Sequence, residues 1–257
     1  NLIEFFDQKT PPSLMESLSV FQEFGDLAPN NSQGDQIILQ AIGELVQLDL
    51  YHDALDILKK YTDKKMWQEG VSVDRKNLFL FKIAVIELLA KEIKECLKTI
   101  EEIKKPASEI VDDLALLKAE ALRQDNQVDA AIESLGQTPL QIEKKAELYF
   151  AVEKWSEAAD YYQKAMTLLP EKDKEAQAKC VSNLALCYGL LKNKVKLTEL
   201  KESYGQLMHE SKYKDMFLFL TTDTAFEGAL TSTEFGKIDN FAENLKKVFK
   251  GSDKAGA

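Results

Sequence analysis

PLQIEKKAELYFAVEKWSEAADYYQKAMTLLP, residues 139–170, is the stretch that decides the fold of this chain. It divides into two helical runs about a short turn. Ala146 in the first run and Ala158 and Ala165 in the second are small, as side chains must be where two helices approach closely. Tyr149, Trp155 and Tyr162 supply the knobs that fill the space between one pair of helices and the next. Pro170 follows the second run, where a residue without a backbone N–H cannot continue the helix. The stretch reads as a helix–turn–helix unit.

The unit recurs. The step from Trp155 to Ala158 reappears as Tyr51 and Ala54, Ile93 and Cys96, and Val128 and Ala131. Four residues beyond each small residue stands a bulky one: Leu58, Ile100, Leu135 and Tyr162. Ile42, Ala84, Ala119 and Ala146 take the small position of the first helix, Ile42 being the poorest fit. These residues resemble the tetratricopeptide repeat (TPR), whose small, aromatic and proline positions recur about every 34 residues. Ala54, Cys96, Ala131 and Ala158 are instead separated by 42, 35 and 27 residues. The resemblance implies an all-α, TPR-like helix-hairpin solenoid, a right-handed α–α superhelix, with irregular repeats and a groove unlike that of a uniform array. A fifth, degenerate hairpin matches at Leu184, Ala185 and Tyr188 but places Leu197 and Lys201 where a small and a bulky apolar residue belong.

The expected organisation follows. Residues 1–34 form an N-terminal segment with one helix over 14–24 and with Phe5 and Phe6 docked ahead of it. The repeats occupy 35–210, as units of about 35–68, 72–105, 110–137, 139–170 and 175–210. Capping helices fill 211–250, and the polar tail 251–257 is disordered. Composition agrees with helices, since glycine (11) and proline (6) are sparse in 257 residues and most fall between the expected helices. Ile37, Ile38, Ala41, Ile42, Leu45 and Leu48 line one helical stripe. The run MFLFL at 216–220 has the length of a buried strand, but no partner strand is in view and a core helix is expected.

Several function classes are disfavoured. A net charge of −10 and only two arginines, Arg75 and Arg123, argue against nucleic acid, whose phosphates demand clustered cations. Lysines alternate with glutamates, as over 91–95 and 101–105, in the manner of solvated helix faces. No apolar run reaches the roughly 18 residues that span a membrane. His52 and His209 are far apart and neither sits in a metal-ligand cluster, so each is expected at the surface or a helix end. Cys180 and Cys187 would be separated by about 10.5 Å of helical rise, too far for a disulfide. With Cys96 they read as buried thiols acting as small hydrophobes. Phosphate loops, nucleophile elbows and metal-binding helices are not found, so neither enzyme activity, cofactor nor metal is expected.

TPR resemblance implies a protein-interaction scaffold or adaptor whose groove is lined by first helices. TPR domains that clamp the acidic tails of chaperones present lysines and asparagines there. The corresponding positions here hold Phe81 and Val85, Leu116 and Glu120, Glu143 and Glu147, then Ser182 and Leu186, with Lys179 and Asn183 nearby. The carboxylate clamp is therefore missing. The expected site has an apolar floor of Phe81, Val85, Leu116 and Phe150 and an acidic rim of Glu120, Glu143 and Glu147. It would take a peptide or partner helix, apolar with basic flanks. Two alternatives stand beside it: a self-assembling scaffold using apolar end helices such as 216–220, and a recruiting domain of a larger protein or enzyme. Residues 14–53 and the closing stretch with Tyr204, Gly205, Asp239, Asn240 and Phe241 are similar to C-terminal regions of uncharacterised alphaproteobacterial TPR proteins. That similarity implies a bacterial protein of cytoplasm or periplasm whose missing N-terminal part carries a membrane anchor. The chain opens on Asn1, as a mature or excised form would.

Overall fold

The structure, a computed structural model, describes residues 30–222. The expected helix at 14–24, the docking of Phe5 and Phe6, the caps beyond residue 222 and the tail at 251–257 lie outside the described residues. Among those residues the chain is all-helical, with eleven α-helices and no strand. They are α1 Ser32–Gln47, α2 Tyr51–Lys65, α3 Val73–Leu89, α4 Ile93–Glu102, α5 Ser108–Gln124 and α6 Val128–Ser134. There follow α7 Pro139–Ala151, α8 Trp155–Leu168, α9 Lys174–Leu190, α10 Lys194–His209 and α11 Lys214–Thr221. The run at 216–220 is thus helical, with Phe217 and Leu220 buried.

One backbone device joins α1 to α2, α3 to α4, α5 to α6, α7 to α8 and α9 to α10. At each turn a residue takes left-handed φ: Asp49, Lys91, Asn126, Glu153 and Lys192, all between 54° and 66°. The next residue's N–H then reaches back five positions, as from Glu92 to the Glu87 carbonyl (2.8 Å) and from Lys154 to that of Tyr149 (3.0 Å). Orphan carbonyls at the helix end are satisfied this way, in the Schellman pattern. The carbonyl of that same residue opens the second helix by accepting from Ala54, Cys96, Ala131, Ala158 or Leu197. Turn and small position are therefore locked four residues apart. The fifth pair keeps the backbone device although Leu197 replaces the small residue.

None of the five left-handed residues is glycine. A left-handed L-residue costs about 1–2 kcal/mol, whereas glycine's extra freedom in the unfolded chain costs about 0.5–1 kcal/mol. Glu153→Gly should therefore raise stability by about 0.5 kcal/mol. A urea midpoint that falls below wild type would contradict the left-handed turn at Glu153.

The described residues belong to two compact units that meet in sequence at Leu114 and Ala115, within α5. In the first unit α1 packs on α2, α2 on α3 and α3 on α4. Its core holds Ile38, Ile42, Leu45, Leu58, Phe79 and Ile86, and Phe79 stacks on Tyr61 with ring centroids 5.6 Å apart. Three polar pins cross this core. Arg75 grips Asp35 through two hydrogen bonds of 2.6 and 2.7 Å, and the Tyr61 hydroxyl donates to the same carboxylate. Buried Glu87 takes Lys59 at 2.8 Å and the Thr99 hydroxyl at 2.7 Å. Asn77 ties the loop before α5 by donating to the Lys104 carbonyl at 2.7 Å.

In the second unit consecutive helices from α6 to α11 pack on one another, and α11 also packs on α9. Its core gathers the small residues Ala146, Ala158, Ala159, Ala178 and Ala185 around Tyr162, Leu184, Leu197 and Phe217. Small residues at this density let helix axes approach closely. Gly136 matters for a local reason. A Cβ there would stand 2.4 Å from Gln141 Oε1, which accepts the Gly136 N–H at 2.8 Å and starts α7.

Candidate functional site

The first helices of the second unit are the C-terminal part of α5, then α7 and α9. Residues three and four apart share a helix face, so Glu143 and Glu147 make one stripe on α7, while Glu120 and Arg123 lie together on α5. Glu120 is buried. Arg123 bonds both of its carboxylate oxygens, the Nε bond being 2.9 Å, and Gln124 donates to it at 3.0 Å. Lys144, itself buried, comes across from α7 to stand 3.1 Å from Glu120 and 3.3 Å from Glu147. Lys179 then comes from α9 to stand 2.7 Å from Glu143 and 3.5 Å from Glu147. A continuous ladder of alternating charge runs over the three helices.

The ladder holds three acids and three bases, so its formal charge is zero. Burial pushes the Glu120 carboxyl up, but the hydrogen bonds of Arg123 and Gln124 and the charge of Lys144 outweigh it and hold the group at about 2. Access is uneven along the ladder. The side chains of Glu120 and Glu143 are 3% and 13% exposed, whereas those of Arg123 and Lys179 are 42% and 41% exposed. An approaching partner meets Arg123 and Lys179 before Glu120 and Glu143.

The seven expected groove residues therefore have different surroundings. Phe81 and Val85 are 2% and 0% exposed and packed in the first unit, which corrects their assignment as groove floor. The reason is legible on α3, which buries eleven of its seventeen residues, an almost unbroken run from Phe79 to Leu89. The other five lie in the second unit. Leu116 and Phe150 are half-buried, with Phe150 packed against the core. Glu120, Glu143 and Glu147 are brought together, but as members of the ladder rather than as an acidic rim. Ser182 and Leu186 are buried, and the more accessible face of α9 passes through the half-buried Lys179 and Asn183 instead. Arg123 and Lys144 were missed because each pairs with a carboxylate on the expected rim. A lysine one residue from Glu143 and an arginine three from Glu120 were the available signals.

Other reactive groups are unremarkable in placement. Cys96, Cys180 and Cys187 are buried and free, and burial pushes each thiol up to about 12. His209 ends α10 and is exposed, and the His52 ring on α2 is 79% exposed. No group of His, Cys, Asp and Glu suited to a metal ion occurs among the described residues, and no helix among them is long and apolar enough to cross a membrane. No known family model matches the chain, and no curated protein matches it either.

Proposed function

We propose that this chain is a protein-interaction scaffold of the TPR type, a right-handed solenoid of irregular helical hairpins that takes a peptide or partner helix on its first-helix face. One observation carries the reading: the same left-handed turn closes five successive helix pairs. Within each compact unit, repetition of one supersecondary element aligns corresponding faces, and aligned faces make extended binding surfaces. In the second unit that face offers Leu116, Phe150, Lys179 and Asn183, stiffened by the ladder beneath. Apolar burial supplies the affinity. Basic flanks on the partner, the expectation from the acid count, would have to displace Lys144 or Lys179, so they contribute little. The exposed edges of Arg123 and Lys179 favour neutral or acidic flanks.

A random displayed peptide library, selected on the wild-type protein, tests this. Selected peptides should lose about tenfold or more in affinity on Asn183→Trp, which blocks the face. Lys201→Glu, at an exposed position on α10, should leave them bound. Equal binding to all three proteins would place the site elsewhere. A second reading has its own support. α11 exposes the adjacent side chains Leu218 and Phe219 at 41% and 50%, an apolar pair suited to self-association. Light scattering decides it, since a self-assembling scaffold exceeds 29.1 kDa and Phe219→Asp should return it to that mass.

A further inference from the structure

A cleft of about 300 Å³ lies among α8, α9 and α10, away from the charge ladder. Its floor is apolar, formed by the buried Leu184 and Leu200. Its walls are the half-buried Met166, Tyr188 and Tyr204. The rim is polar and exposed, with Gln163 from α8 and Ser203 from α10. Lys196 and Glu199 also stand on the rim, 2.8 Å from each other, so the opening carries both signs and no net charge.

Each property restricts the occupant. Ligand sites for whole small molecules run from about 300 to 1,000 Å³, so this volume is at the floor of that range and suits a single large side chain. Neutral charge at the rim disfavours a charged occupant, which would lose hydration without gaining a counter-ion. Two tyrosine rings and a thioether favour an aromatic ring over an aliphatic one, by roughly twofold to tenfold in affinity beyond area. Rim acceptors at Gln163 Oε1, Ser203 Oγ and Glu199 reward a ring that carries a donor at its edge. Tyrosine and tryptophan carry such a ring, and the indole, the larger of the two and a donor only, buries the greater apolar area against these acceptors.

We propose that this cleft is an anchor pocket for one tryptophan side chain presented by a partner protein, a second contact site beside the first-helix face. Tryptophan is the side chain most enriched among residues that dominate interface energetics. A pocket of this kind fixes the register of a partner while its other contacts stay weak. The cleft shares no lining residue with Leu116, Phe150, Lys179 or Asn183 of the first-helix face, so either site can fail without the other.

Titration of the labelled protein with N-acetyl-tryptophanamide, followed by amide chemical shifts, is the test. Saturable shifts should concentrate on residues lining the cleft, with Kd on the order of millimolar. N-acetyl-leucinamide should bind about fivefold more weakly, the factor that matches the aromatic preference. Ser203→Trp should fill the cleft from its exposed rim and abolish the shifts, with its circular dichroism spectrum unchanged. Tyr204→Ala, which removes a wall, should weaken binding about fivefold or more. Asn183→Trp, on the first-helix face, should leave the titration as in wild type. The proposal is overturned by shifts that do not saturate, by shifts centred elsewhere, by equal binding of the leucine probe, or by undiminished binding in Ser203→Trp.

Discussion

Glu120→Gln should cost about 3 kcal/mol of stability at neutral pH and close to nothing near pH 2. The folded carboxyl titrates at about 2, below its ordinary value of 4.5. Folding therefore favours the ionised form. Such a group contributes fully above the ordinary value, and the contribution fades as pH falls from about 4.5 towards 2. Glutamine keeps the shape and burial of the side chain while standing for the protonated state. At neutral pH the variant loses the charge-assisted bonds from Arg123 and the attraction of Lys144, and retains the Lys144 contact with Glu147. In acid the wild type loses the same interactions by protonation, so the two proteins converge. Urea unfolding at several pH values reads the difference directly. A cost that is the same at pH 7 and pH 3 would show that the ladder does not hold Glu120 ionised.

How much of this was open to a reader of the sequence differs between the fold and the site. The all-helical class came from the sparseness of glycine and proline and from apolar stripes of helical period. The small positions Ala54, Cys96, Ala131 and Ala158 were found by spacing, and all four side chains are wholly buried. The turn that repeats five times was not legible. Its left-handed residues are Asp, Lys, Asn, Glu and Lys, so the glycine that usually marks such a turn is missing, and only backbone hydrogen bonds reveal the pattern.

The site was less legible because charge and burial are set between helices. Glu143 and Glu147 look like free acids on α7 until Lys179 arrives from α9, a residue with no local sequence relation to either. Glu120 and Lys144 are likewise joined only when α5 and α7 pack. Counting carboxylates along first helices thus described the sign of isolated helices and missed the neutral sum. Phe81 and Val85 failed for a different reason. Correspondence with TPR groove positions placed them on the first-helix face, but α3 buries nearly every residue from Phe79 to Leu89, which leaves it no groove side to present.

Ala158→Leu should destabilise the protein by about 1–3 kcal/mol, as inserted methylenes do in a close-packed core. Ala158 has no exposed surface, and its backbone N–H bonds the Lys154 carbonyl at 2.9 Å, directly behind the left-handed Glu153. The side chain is therefore held at a fixed distance from the turn. It cannot slide along α8 to relieve crowding without breaking that turn. Around it the core is built from other small residues, Ala146 on α7 and Ala185 on α9 among them. Three extra carbons would gain about 2 kcal/mol if space existed for them. Ala158→Gly separates packing from propensity: it adds no volume and should cost about 1 kcal/mol through helix propensity alone. Thermal melts of the two variants beside wild type decide the matter. A leucine variant that melts with wild type, while the glycine variant does not, would remove Ala158 from the helix crossing and with it the register on which the hairpin reading rests.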